Sequence, residues 1–223
     1  MRFVVEPRLL DHFGVAMYNT LEKAIAELVA NGYDADAQEV SVSLTADAIV
    51  ISDDGRGMTP RQVEDDYLHL GRDRRAGEGR ERTKGLERAI IGHKGIGKLA
   101  GLGIAEKMIV TTRRDGSQTT ITIDRTALDE ANSLEAFDLN AAVAKIDGAL
   151  HGTEIRLEGL LVDLGQDDEE QLRQHLALEL PNVSNGASWS TAPRRPPRTY
   201  RESGTPSTRR STGSGGSPGS TRS

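Results

Sequence analysis

Four short clusters in the chain combine residue types and spacings that suit chemistry. Glu27 and Asn31 stand one helical turn apart, so both side chains share a helix face. That face flanks an apolar stripe, which leaves a carboxylate and an amide bordering the core. Asp34-Ala35-Asp36 follows directly. Acidic residues at a helix C-terminus oppose its dipole, so as pure structure they are slightly unfavourable; a site and a solvated helix end both remain open. The second cluster is Asp53-Asp54-Gly55-Arg56-Gly57-Met58 at the end of an apolar strand. The alternate glycines allow a close backbone approach, and Asp53 would be half-buried there; an ordinary Asp-Gly turn is the plainer reading.

The third cluster runs through Gly92-His93-Lys94-Gly95-Ile96-Gly97-Lys98-Leu99-Ala100-Gly101, a glycine-rich loop opening a helix, where backbone N–H groups favour anions. Two familiar phosphate loops nearly fit. Gly92 to Lys98 matches G-x-x-x-x-G-K, but Leu99 stands where a magnesium-binding Ser or Thr belongs. Gly95 to Ala100 matches G-x-G-x-x-A, but only Ala89-Ile90-Ile91 precedes it, after a charged loop and without a βαβ unit. An anion-binding loop of another type remains. The fourth cluster, Gly152-Thr153, opens a late strand and is uninformative alone.

These clusters need elements to hold them. Leu21, Ala24, Ile25, Leu28 and Val29 follow the spacing of a core-facing helix over residues 20–31, with Thr20 as N-cap. Residues 39–44 alternate apolar and polar, and with residues 48–52 they form an antiparallel hairpin. Residues 60–70 resume helical spacing, and residues 98–106 form a second helix. Strands are expected over 108–112, 119–123 and 154–157, the first two joined by an Asp115-Gly116 turn. A last helix spans 167–180. Helices set apart from hairpin-connected strands indicate an α+β fold, a two-layer α/β sandwich with a mixed, mostly antiparallel sheet and helices on one face.

The 223 residues carry a net charge of −6, no Cys and 36% apolar residues. A disulfide scaffold, a thiol nucleophile and a Cys-ligated zinc are therefore excluded. No apolar run approaches the ~20 residues of a membrane span, and the N-terminus lacks a signal-peptide pattern, so a cytoplasmic protein without membrane contact is expected. The composition breaks near Pro181. Residues 182–223 hold 10 Ser, 7 Arg, 6 Gly, 6 Thr and 5 Pro, too little apolar surface to offset ordering entropy, so a disordered tail is expected after a domain of residues 1–181. An out-of-frame translation is a second origin for this tail. The acidic body argues against nucleic-acid binding. Residues 71–91, rich in Gly, Arg and Glu, read as a mobile loop.

In order and spacing, the four clusters resemble the GHKL superfamily of gyrase B subunits, heat-shock chaperones, sensor histidine kinases and MutL, whose ATP-binding architecture is the Bergerat fold. E-x-x-x-N-x-x-D-A stands as Glu27 to Ala35, D-x-G-x-G-M as Asp53 to Met58, G-x-x-G-x-G as Gly92 to Gly97, and G-T as Gly152-Thr153. The resemblance covers roughly residues 8–180 and implies roles. Glu27 would be the general base on water, Asn31 the Mg²⁺ ligand, and Asp53 the acceptor for the adenine amino group. Gly57 and Met58 would line adenine, the amides of Gly92, Gly95 and Gly97 would meet phosphate, and Thr153 would support Asp53 and an adenine-bound water. Asp34, Gly55, Lys94, Ile96 and Lys98 complete the expected cofactor-binding set.

Glu27 separates the branches of the family. Histidine kinases have an Asn-rich first box and a phospho-accepting His helix, and no such helix precedes residue 20. The sequence is most similar to stand-alone prokaryotic ATPases akin to the heat-shock chaperone and the MORC proteins. Hydrolytic members carry a downstream domain that supplies a lysine to the γ-phosphate, and here the tail stands in that place. The resemblance thus implies slow Mg²⁺-dependent ATP hydrolysis, a lid over residues 71–91, an unnamed protein partner, and room for a nucleotide-dependent homodimer. The alternatives are a non-catalytic nucleotide-responsive module and a histidine-kinase-like phosphotransfer domain.

Overall fold

The computed structural model describes residues 1–5, 20–70, 82–92, 97–130, 139–165, 167–180 and 188–190. The first long element is helix α1, Leu21–Asp34, and all five residues of its apolar stripe are buried. Thr20 is its N-cap, in extended conformation, although its side chain makes no capping hydrogen bond. Strands β2 (Glu39–Leu44) and β3 (Ala48–Asp53) pair antiparallel, with Val40 opposite Asp53. Thr45 closes their turn: its Oγ1 donates to the Ala48 carbonyl at 2.8 Å and accepts from the Ala48 N–H at 3.1 Å. Strands β5 (Ala105–Arg114) and β6 (Ser117–Asp124) form the second hairpin. Its Asp115 (φ 50°) and Gly116 (φ 75°) both take the left-handed conformation that a tight two-residue turn requires.

Strand β8 (Gly152–Leu160) unites the two hairpins, antiparallel to β5 on one side and to β3 on the other. With β7 (Asn140–Lys145) and β9 (Ser188–Ser190), the sheet order is β7-β6-β5-β8-β3-β2-β9. Among the described strands of this sheet only β9 joins parallel, beside β2. A separate pair joins β1 (Val4–Val5) and β4 (His69–Leu70). α1 packs on β2 and β3, and a 3-10 helix, Gly97–Gly103, packs on α1 and β5. The C-terminal helix (Asp168–Glu179) presents its buried Leu172 and Leu176 and contacts α1. Met108, Val110, Ile155 and Leu157 of the central strands are buried in the core. The architecture is therefore the two-layer α+β arrangement that the sequence predicts.

Several elements differ from the sequence expectation. Residues 60–70 are not one α-helix. A capped α-turn, Pro60–Gln62, continues as a π-helix, Val63–Tyr67, before β4. In the wider turn Leu68 N–H donates to the Val63 carbonyl at 2.9 Å, and Val63, Tyr67 and Leu68 all reach the core. Residues 98–106 are likewise not an α-helix: three glycines in GKLAGLG lower α propensity, the turn tightens to 3-10, and β5 begins at Ala105. β7 was not anticipated, because its alanines carry little strand signal. Ser188–Ser190, inside the segment expected to be disordered, pairs with β2.

Candidate functional site

The end of β3 and the start of β8 meet at Asp53. Thr153 lies directly opposite Asp53, and its N–H donates to Asp53 Oδ1 at 3.2 Å. The Gly55 N–H donates to the same oxygen at 2.9 Å. Asp53 Oδ2 accepts no hydrogen bond among the described residues. Burial pushes the carboxyl up to about 6, against the pull of the Gly55 and Thr153 amides; the Asp54 charge raises it further, and His151 lowers it. The result is a recessed carboxylate with one oxygen pinned and the other available.

The surrounding backbone is close-packed through glycine. Gly57 (φ 58°) and Gly152 (φ 105°) adopt left-handed conformations, and a Cβ on either would meet a carbonyl oxygen, that of Arg113 or of Asp53 respectively. Gly32 brings α1 against the same place, since a Cβ there would lie 3.1 Å from the Asp53 Cβ. The loop that follows is tied down by the Arg56 N–H donating to the Ala35 carbonyl at 3.0 Å. His151 Nδ1 lies 2.9 Å from the Gly55 carbonyl, so as the Nδ1–H tautomer it donates there. The Met58 N–H donates to the buried Thr112 Oγ1 at 2.9 Å, and that hydroxyl lies 3.2 Å from Thr153 Oγ1. Thr112 and His151 were missed by sequence reasoning: a Thr inside a strand and a His before Gly-Thr carry no local signal.

The helix face with Glu27 and Asn31 lies against Gly92 and Gly97, the described ends of the glycine-rich cluster. Gly97 packs against the Glu27 carboxylate so tightly that a Cβ would collide with it. At the other end of the loop, a Cβ on Gly92 would lie 4.0 Å from Asn31 Oδ1. The Asn31 amide makes no hydrogen bond among the described residues. His93, Lys94, Gly95 and Ile96 lie outside the described residues, so Lys94, Gly95 and Ile96 receive no structural account.

Three expected contacts take a different form. Asp34 is buried, and its two oxygens accept from the Ile91 and Gly92 N–H groups, each at 2.9 Å. Asp34 thus holds the loop, and the Gly92 amide assigned to phosphate is engaged by this carboxylate. Lys98 is also buried: its Nζ donates to the Asp66 and His69 carbonyls at 3.0 and 2.7 Å. The Tyr67 hydroxyl returns a hydrogen bond to the Lys98 carbonyl at 3.2 Å. The ammonium expected at phosphate instead caps the end of the π-helix.

Within the segment expected to be a lid, residues 82–91 dock on the C-terminal end of α1 through polar bonds; residues 71–81 lie outside the described residues. Asp36 accepts from the Gly85 and Leu86 N–H groups at 2.9 and 3.0 Å and pairs with Arg56 at 3.5 Å. Arg88 donates to the Ala37 carbonyl at 2.5 Å and stacks over the Tyr33 ring. Desolvation raises the Asp36 carboxyl, but the bonds from Thr83, Leu86 and Gly85 and the charge of Arg56 outweigh it and hold the group below 3.8. Removing both acceptors in Asp36→Ala should forfeit about 1–1.5 kcal/mol locally. Hydrogen exchange at Gly85 and Leu86 should quicken about tenfold, with β2 amides unchanged. In the wild type the same protection is present at neutral pH and is lost as the pH falls through the lowered Asp36 value.

Sheet, helical layer and the convergence of the four clusters define an ATPase domain of the GHKL type. Residues 18–153 match the family described as histidine kinase-, DNA gyrase B- and HSP90-like ATPase, and the chain belongs to that family. Membership implies ATP binding. Over 183 residues, 81% of this chain and 29% of the relative, it is 30% identical to a putative type II restriction enzyme, HgiDII, of Herpetosiphon aurantiacus. It is 32% identical over 132 residues to the chaperone protein HtpG of Gluconobacter oxydans, covering 49% of this chain and 21% of the relative. The chain thus spans less than a third of the length of either relative. Among the described residues no helix is long and apolar enough to cross a membrane.

Proposed function

We propose that this domain binds Mg²⁺-ATP and hydrolyses it slowly, with Asp53 reading the adenine amino group. The observation that carries the reading is the recessed Asp53 carboxylate, whose Oδ1 is fixed by two amides while Oδ2 has no hydrogen-bond partner among the described residues. An acceptor so placed suits an amino group, and a charge-assisted hydrogen bond of this kind contributes about 1.5–3 kcal/mol. The donor set also fits the metal. Among the described residues no cluster of three or more His, Cys, Asp or Glu could hold an ion. A magnesium ion that keeps its waters and phosphate oxygens needs few protein ligands, and Asn31 offers one neutral oxygen. When bound, the ion would neutralise phosphate charge.

Glu27 in this reading orients and deprotonates the attacking water, as a general base one helical turn from the Asn31 amide. Gly97 leaves room for its carboxylate beside the loop. Turnover is slow because phosphoryl transfer draws its rate from positioned cations, and the Lys98 ammonium is engaged by two backbone carbonyls. The lid of residues 71–91 carries nucleotide state to a protein partner or a second copy of the chain. Support for this comes from its anchored limb, which shares the turn after α1 with the Arg56 loop.

The test is an equilibrium titration with ATP, ADP and GTP, with and without Mg²⁺, beside a turnover assay. ATP and ADP should bind in the presence of Mg²⁺, with GTP at least tenfold weaker. Glu27→Ala should keep ATP affinity within about threefold and remove the residual turnover. Equal affinity for GTP and ATP would defeat the adenine assignment, and turnover surviving Glu27→Ala would defeat the assignment of the base.

A further inference from the structure

We infer that Thr112 is a specificity-positioning residue: it fixes the direction in which the Thr153 hydroxyl donates, and so sets the hydrogen-bond polarity of the base pocket. The inference rests on the adenine reading of Asp53 given above. Thr112 sits in β5, only 1% exposed, and touches three other parts of the site. Its Oγ1 accepts the Met58 N–H at 2.9 Å. The same oxygen lies 3.2 Å from Thr153 Oγ1 and 3.5 Å from the Gly152 carbonyl.

A threonine hydroxyl has one proton and two lone pairs. With one lone pair taken by Met58, the Thr112 proton has two acceptors within reach, the Gly152 carbonyl at 3.5 Å and Thr153 Oγ1 at 3.2 Å, and we assign it to the nearer. Thr153 then needs its own proton for no bond to Thr112 and can donate it into the pocket. The Thr153 backbone N–H is meanwhile spent on Asp53 Oδ1. The pocket therefore shows an acceptor, Asp53 Oδ2, beside a donor, the Thr153 hydroxyl. Adenine presents the complementary order on its Watson–Crick edge, an amino donor next to the N1 acceptor. Guanine presents the reverse, an O6 acceptor next to an N1–H donor, and meets two mismatches. Thr112 touches no base; it acts through Thr153.

The experiment measures ATP and GTP affinities for the full chain, wild type against Thr112→Val and Thr112→Ser. Valine keeps the shape and removes the hydroxyl, while serine keeps the hydroxyl. Thr112→Val should weaken ATP about tenfold and shrink the ATP-over-GTP preference by a similar factor. Thr112→Ser should hold both affinities within about twofold of wild type. A merely structural role would lower the two affinities together, so an unchanged preference in Thr112→Val overturns the assignment while the adenine reading stands. A wild type that binds neither ATP nor ADP overturns that reading, and this inference with it. If a thermal melt shows that Thr112→Val does not fold, Thr112→Cys, with its weaker donor, should move the preference in the same direction, and no change there overturns the assignment equally.

Discussion

Asp53→Asn should abolish most ATP binding and at the same time make the domain more stable. Asparagine keeps an acceptor oxygen for the Gly55 and Thr153 amides, but sets an NH₂ group where Oδ2 stood. A donor then faces the adenine amino group, and one mismatch of this kind costs about 1–3 kcal/mol, ten- to a hundredfold in affinity. Stability moves the other way. The folded carboxyl titrates at about 6, against 3.8 in the unfolded chain. The folded state therefore holds the proton more tightly, and stability falls as the pH rises between those values. Above pH 6 the wild type carries a penalty of about 3 kcal/mol, which the neutral amide lacks. The melting temperature of Asp53→Asn should exceed that of the wild type at pH 7, and the gain should vanish below pH 4. Wild-type ATP affinity should itself decline as the pH drops through 6. Titration calorimetry and thermal melts across pH 4–8 check both halves. A variant that loses ATP binding together with stability at pH 7 would show that Asp53 is structural.

Gly152→Ala should be among the most damaging single substitutions in the chain. Its φ of 105° suits glycine alone, and a Cβ would strike the Asp53 carbonyl oxygen while standing 3.2 Å from the carbonyl carbon and 3.3 Å from Asp54 Cα. Backbone strain and displacement of packed atoms together cost about 2–5 kcal/mol. Any relaxation pushes β3 away from β8 at the Asp53–Thr153 pair. Gly57→Ala should behave similarly through the Arg113 carbonyl. Gly148→Ala supplies the contrast, because nothing lies within 4 Å of a Cβ there. Urea unfolding of the three variants should therefore leave Gly148→Ala within about 0.5 kcal/mol of wild type. If Gly152→Ala matches it, the close approach of β8 to Asp53 is not real.

The residues that were legible in the sequence sit in short local patterns. The buried stripe of α1 showed through its helical period, both hairpins through alternation and turn residues, and Asp53 through its place between an apolar strand and two glycines. What the sequence hid depends on contacts far along the chain. Thr112 matters because β5 lies beside β8, and His151 because its ring reaches a carbonyl 96 residues away. Asp34 entered the cofactor-binding set through the motif from Glu27 to Ala35, and its bonds to the Ile91 and Gly92 amides, more than fifty residues away, carry no local signal. Lys98 follows a glycine-rich loop, which suggests phosphate, and only the packing shows its Nζ bonded to the Asp66 and His69 carbonyls. The π-helix escaped notice because periodicity separates α from β and says nothing of a turn widened by one residue.

The position of β8 also governs how the chain can fold. The pairs β2–β3 and β5–β6–β7 close through loops that need little of the chain. Among the described residues β8 alone connects them across the sheet, and its contact with Asp53 spans 100 residues. Contacts that distant carry a loop-closure cost before they return any stabilisation, and they slow folding. Before β8 inserts, Asp53 has no Thr153 and Gly57 has no Gly152 beside it. The surroundings of Asp53 are thus completed with the last closure of the sheet, and a nascent chain that ends before residue 152 has two hairpins and no strand to join them.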